Sequence, residues 1–259
     1  MSRLLQILRA RMAELQVALM LLTRVPAGRI TGPAPSIAAA CWAFPIAGLI
    51  IGGLSAAVLF AALQLGLPPG MAAGLALVVG LYATGGLHED GLADVVDGFG
   101  GGRDREHKLA IMRDSRIGSY GTLALILVVG LRWQAMAALG DVTALQAAQA
   151  TMAIAVASRA ALPVVLMLMP AARPDGLGRA ASGPSIIQAS VALALGAVGL
   201  VLLLGNTAAL AVAVAMGIAV LLVAALAMRQ IGGQTGDVLG AIQQSADVCG
   251  WTTLVWLLW

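Results

Sequence analysis

Charge is what this sequence has least of. Only 10% of its 259 residues are Asp, Glu, Lys or Arg, against about 25% in an ordinary soluble domain. Hydrophobic residues make up 60%, and the mean hydropathy is +0.95. That balance excludes a soluble globular enzyme and a disordered tail. Cysteine is scarce as well. Cys41 and Cys249 are far apart in apolar surroundings, which excludes a disulfide-rich secreted module and makes a disulfide or metal pair improbable. No Walker A motif, Rossmann fingerprint, HExxH or nucleophile elbow is present. What remains is an all-α polytopic membrane protein, one integral membrane domain over residues 1–259. The net charge of +3 does not imply nucleic acid, because the basic residues stand mostly at the ends of apolar runs. The bilayer is the partner this composition demands.

A helix crossing hydrocarbon needs about 20 apolar residues. The runs 36–65, 69–87, 119–139, 147–169, 186–204 and 208–228 meet this. A seventh, 239–259, begins with Gln243, Gln244 and Asp247, so its first half must face protein or water. The reading is therefore about seven transmembrane helices. Residues 4–22 form an amphipathic helix at the membrane surface or tucked under the bundle. It is no cleaved signal, since Arg3, Arg9, Arg11 and Glu14 are spread through it. With the Pro- and Gly-rich linker that follows, it completes an N-terminal segment 1–35. Basic connections alternate strictly with neutral or acidic ones. The positive-inside rule then places the N-terminus and the long loops 88–118, 171–185 and 229–238 in the cytoplasm, as in a multi-pass protein of a bacterial inner membrane.

The loop 88–118 holds seven of the twelve acids. Asp90, Asp94 and Asp97 are spaced i, i+4, i+7, one face of a helix continuing from the second span. At about 4 Å and an effective dielectric of about 20, each repulsive pair costs up to about 4 kcal/mol, so something positive should offset it. Open carboxylates among glycines suit Mg²⁺ or Mn²⁺ completed by phosphate. The bland alternative is a solvated polar face balanced by nearby bases. His88 is a candidate base or hydrogen-bond partner, or a structural histidine. Arg103, Arg105, Lys108, Arg113 and Arg116 include candidate phosphate clamps. Ser158 and Arg159 lie inside an apolar run, where an arginine is a functional candidate by default or a partner for an acid. Arg132, also within a span, reads as snorkelling or structurally paired. Residues 232–240, GGQTGDVLG, read as an unwound helix end presenting Thr235 and Asp237, or as a flexible turn. Asp237 could complete a metal shell or accept a hydroxyl proton. GGxxxD occurs both at Gly85 and at Gly232, a faint internal echo.

The run HEDGLADVVDGFGGGRDREHKLAIMRDSRIGSYG (88–121) resembles the signature of the cobalamin synthase family. The likeness continues in LTRVP (22–26), FPIAGLIIG (44–52), SRAALPVVLMLMPAARPDGLG (158–178) and GGQTGDVLGA (232–241). It implies an adenosylcobinamide-GDP ribazoletransferase, a membrane enzyme of cobalamin biosynthesis. Such an enzyme joins alpha-ribazole or its 5'-phosphate to a GDP-activated corrinoid, releasing GMP, with Mg²⁺. Asp90, Asp94 and Asp97 are then the metal face, and His88, Asp97 and Asp237 the catalytic candidates. Arg103, Arg105, Arg113, Asp114, Ser115, Arg116, Arg159 and Thr235 are the substrate-binding candidates. Homo-oligomeric assembly is left open. One departure is that Gln243 and Gln244 stand where the family often carries a glutamate. Asp94-x-x-Asp97-Gly98 and Asp114-Ser115 are also similar to parts of the CDP-alcohol phosphotransferase motif, whose spacing is not reproduced. A CDP-alcohol-type phosphotransferase and an ion-coupled transporter are the rival readings.

Overall fold

The computed structural model describes residues 3–258. Met1, Ser2 and Trp259, the outer ends of the N-terminal segment and of the seventh apolar run, lie outside the described residues, as does the Arg3 side chain. Most of the described residues are helical. A surface helix α1 (Arg3–Leu22) leads to α2 (Ile37–Ala40), which passes through a 3-10 turn into α3 (Phe44–Gln64). Then follow α4 (Pro69–Thr84), α5 (Leu87–Gly101), α6 (Arg105–Ile111), α7 (Ser119–Val142), α8 (Ala144–Ala160) and α9 (Leu162–Leu168). The last four are α10 (Gly176–Ala181), α11 (Ile186–Leu204), α12 (Asn206–Ile231) and α13 (Gly236–Leu258). Among the described residues the only β-pairing is one isolated bridge between Ala171 and Gln234.

The punctuation follows the sequence. Gly205, at φ 77°, closes the short α11–α12 hairpin in a left-handed conformation that glycine adopts without steric cost. Gly85 and Gly86, at φ 68° and 69°, end α4. They bend the chain by 86° into α5, so the Asp-rich helix does not continue the second span but turns off it.

Among the described residues five helical stretches are long and apolar enough to cross a membrane: 37–64, 119–142, 144–168, 186–204 and 206–231. Counting the bent α4–α5 pair as one makes six. The protein is an all-α polytopic membrane protein. Fewer stretches pass than the seven expected because of two residue patterns. The glycine pair deflects α4–α5, and α13, although 23 residues long, buries Gln243, Gln244 and Asp247 in the bundle. The polar first half of α13 thus faces protein.

Small residues hold the bundle together. Ala150 and Ala153 of α8 are fully buried, and α3 lies against that helix through Gly48 and Gly52. Without hydrophobic drive between lipid-bathed helices, such close backbone approach is what packs them. Helix α1 docks by its C-terminal half. Ala18 and Leu22 are buried, and buried Glu14 accepts a 2.6 Å hydrogen bond from Trp42 Nε1. Its first half exposes Leu4, Leu5 and Leu8, a face suited to the membrane surface.

A Cβ on Gly48 would stand 2.2 Å from the Ala155 carbonyl oxygen, whereas one on Gly53 would meet nothing within 4 Å. Gly48→Ala should therefore destabilise the detergent-solubilised protein by about 1–3 kcal/mol, the usual range for overpacking. Gly53→Ala should leave the melting temperature unchanged or slightly raised. Equal melting temperatures for the two variants would contradict the α3–α8 packing.

Candidate active site at the crossing of α5 and α13

Two glycines set this site. A Cβ on Gly91 of α5 would lie 2.9 Å from the Asp237 carbonyl oxygen, and one on Gly240 of α13 would lie 3.0 Å from the His88 carbonyl oxygen. The helices therefore touch backbone to backbone. The contact brings Asp90 and Asp237, far apart in sequence, to one cavity of about 330 Å³ together with His88, Arg173 and Thr235. Thr235 Oγ accepts from the Val238 N–H at 3.2 Å and donates to Asp237 Oδ2 at 3.1 Å, capping the start of α13. Arg173 pairs with Asp237 at 3.4 Å and donates to the Leu109 carbonyl at 2.9 Å, while its buried Nε has no partner. The buried Nδ1 of His88 has none either.

The three long connections are locked into one surface. Arg105 donates to the carbonyls of Ile231 at 2.8 Å and Ala172 at 2.6 Å. Ala172 and Gln234 are joined by a 2.8 Å backbone hydrogen bond. Lys108 bonds Gln230, and Arg113 pairs with Asp175. Loops 88–118, 171–185 and 229–238 thus open to the same side, as the alternation of charge implied.

Negative charge is in excess here. Burial pushes the Asp94 carboxyl up to about 7, aided by the charges of Asp90, Asp237 and Asp97 and opposed by Arg173. Burial also raises Asp237, against the pull of Arg173. Asp97 is differently employed. Its two oxygens accept the backbone N–H of Gly118 at 2.7 Å and of Gly121 at 2.9 Å, so it caps the N-terminus of α7, where a carboxylate is favoured by the helix dipole. Among the described residues no group of three or more His, Cys, Asp and Glu is arranged to hold a metal ion. The remaining pair, Asp90 and Asp94, lines a second cavity with Arg113, Asp114 and Ser115. Asp114 and Arg116 are paired with each other at 2.6 Å in solvent. Arg103 is exposed, and its backbone N–H donates to His107 at 3.3 Å.

Arg159 is elsewhere. It lines a separate cavity of about 40 Å³ with Glu89, Arg132, Gln243, Gln244 and Asp247. Arg132 pairs with Glu89 at 2.9 Å and Asp247 at 3.1 Å, the structural pairing expected of it. Gln244 donates to Glu89 at 2.8 Å, and Gln243 donates to Ser158 at 2.9 Å. Arg159 donates to its own helix at the Ala155 carbonyl, 2.9 Å away, and its Nε is unpartnered. Two arginines balance two acids in this buried layer directly behind the Asp face.

A family model described as cobalamin-5-phosphate synthase matches residues 14–255. The chain belongs to the cobalamin-5-phosphate synthase family. It is 47% identical over 241 residues to a protein of Bradyrhizobium diazoefficiens named adenosylcobinamide-GDP ribazoletransferase, covering 91% of this chain and 90% of the relative. A protein of that name from Mesorhizobium japonicum is 46% identical over 235 residues, covering 91% and 90%. One from Azorhizobium caulinodans is 42% identical over 245 residues, covering 92% and 93%. No solved structure matches.

In this member of the family, four residues of the two cavities are not among the candidates that the sequence singles out. Arg173 stands in a loop between Pro170 and Pro174. Glu89, Gln244 and Asp247 carry no assigned role there. Their signal was polar side chains in apolar runs, with the two acids equal in number to Arg132 and Arg159 and so able to neutralise them.

Two outcomes follow from the Asp geometry. In metal-free protein, Asp97→Asn should lose about 1–3 kcal/mol, the cost of an unmet buried donor, seen as a lower melting temperature. Asp94→Asn should be neutral or stabilising, because it relieves repulsion. A neutral Asp97→Asn would remove its capping role. Separately, infrared titration should find the Asp94 pKa lowered in Asp90→Asn, which removes a like charge, and raised further in Arg173→Gln, which removes the opposing one.

Proposed function

We infer that this chain is an adenosylcobinamide-GDP ribazoletransferase, acting in the final assembly of cobalamin. Family membership over nearly the whole chain and the shared name of its relatives support the activity. The observation that carries the site is that Asp90, Asp237 and Arg173, from three separate segments, line one cavity.

In the reaction a ribose hydroxyl of alpha-ribazole, or of its 5'-phosphate, attacks the phosphorus that bears the corrinoid. The bond from that phosphorus to the GMP oxygen breaks, GMP leaves, and the hydroxyl proton goes to a base. Positioning and charge stabilisation dominate such transfers. Arg173, with a free Nε, supplies a fork for the phosphate oxygens. Asp237, paired with Arg173 and with its proton affinity raised by burial, is the acceptor of the hydroxyl proton. Asp90 and Asp94 are the acids that would hold Mg²⁺. Magnesium commonly takes only one or two carboxylates and completes its shell with substrate phosphate, and Asp90 and Asp94 line one cavity together. Bound there, it would neutralise charge on the pyrophosphate. Asp97 supports α7 beside them.

The protein is placed in the bacterial cytoplasmic membrane with its N-terminus and this site inside. The support is the strict alternation of basic connections.

Purified protein in nanodiscs, supplied with GDP-activated cobinamide, alpha-ribazole and Mg²⁺, should release GMP and form the nucleotide loop. Asp90→Asn and Asp237→Asn should each lower kcat at least about 100-fold, about 2.7 kcal/mol of transition-state stabilisation. Arg173→Lys should also be damaging, because a point charge does not replace a planar fork. Wild-type turnover in both Asp variants would sink the assignment.

A further inference from the structure

The 330 Å³ cavity has two kinds of lining. Asp90, Arg173 and Asp237 line it from the crossing of α5 and α13 and the loop before α10. Apolar lining comes from other helices: Leu22 of α1, Phe44 of α3, and Leu162 and Leu166 of α9. All four are at most 4% exposed, and they belong to one contiguous core cluster. We propose that this apolar lining forms the acceptor subsite, receiving the flat base of the benzimidazole nucleoside so that its ribose points at Asp90, Asp237 and Arg173. The inference rests on the transferase reading and adds which substrate lies in this cavity, and which way round.

Size and polarity both select the acceptor. At about 330 Å³ the cavity lies at the low end of small-molecule pockets, roughly 300–1,000 Å³. That holds a nucleoside and is too small for a corrin macrocycle. Guanine would bring an edge of several donors and an acceptor against Leu and Phe side chains. Burying those groups unmet costs about 1–3 kcal/mol each. A dialkyl benzimidazole presents only carbon on its outer edge and gains from the same wall. Among the polar residues that line the cavity, Gln234 and His88 can meet such a base. Gln234 Nε2 already donates to the Gly178 carbonyl at 3.0 Å and to Ser182 at 2.9 Å. Two of the residues that line the cavity each hold a buried atom without a partner, His88 Nδ1 and Gln234 Oε1. One ring nitrogen and one ribose hydroxyl would use both.

The test compares alpha-ribazole with an analogue whose benzimidazole methyl groups are replaced by larger alkyl groups. The enzyme is the full chain in nanodiscs, wild type and Leu166→Ala. Opening the wall should raise the kcat/KM ratio of bulky to native acceptor at least about tenfold, the discrimination an apolar pocket gives per methylene. The KM for GDP-activated cobinamide should stay within about twofold. Leu162→Val and Phe44→Leu open the same wall more gently and are read in the same way if Leu166→Ala does not fold. An unchanged ratio in the folded variants overturns the subsite. So does a rise in KM for the GDP-corrinoid alone, which would put guanosine there. A wild-type protein that transfers no ribazole at all would instead overturn the transferase reading, and this inference with it.

Discussion

Everything at the site depends on one close contact, the meeting of α5 and α13 at Gly91 and Gly240. Any side chain at either position would strike the backbone of the opposite helix. Because both are glycine, Asp90 and Asp237 come to the same cavity. The price of that approach is electrostatic, since the acids of α5 and the one at the head of α13 crowd together, opposed by Arg173 and Arg113. Burial first and the neighbouring acids second raise Asp94. Such crowded acids favour a ligand that brings cations with its phosphates.

Behind this crossing lies a layer that the bilayer could not tolerate unpaired. Arg132 bridges Glu89 and Asp247, and Gln243 and Gln244 thread between them to Ser158. Breaking a buried ion pair costs about 3–5 kcal/mol, because an uncompensated charge remains. The layer therefore fixes the registry of α5, α7, α8 and α13. Glu89 and Asp90 are chain neighbours, turned about 100° from each other around α5. Glu89 reaches inward to the ion layer, and Asp90 outward to the cavity, so registry inside becomes position outside. Gln243 and Gln244 add hydrogen bonds without adding to the negative charge.

Much of the architecture was legible in the residues. Apolar runs of about 20 mark spans because unsatisfied backbone in lipid forces each segment to close its own hydrogen bonds. The polar face of α13, the pairing of Arg132 and the clustering of the three long connections were likewise readable, since a charge or amide inside an apolar run must find a partner. Asp90 and Asp237 could be singled out as acids beside glycines.

Sequence by itself therefore determined the membrane class, the helical segments, the family and the list of polar residues from which a site could be built. Only the tertiary structure decided how that list divides. Asp97 shares a helical face with Asp90 and Asp94, yet its oxygens are taken by the N-terminus of α7. Arg105 is consumed by two backbone carbonyls, and Arg159 belongs to the buried layer rather than to the cavity. Arg173, unremarkable in the sequence, faces the acids. Spacing along a helix gives direction around one axis only. Which partner waits in that direction depends on the 86° turn at Gly85–Gly86 and on helix crossings made by residues distant in the chain.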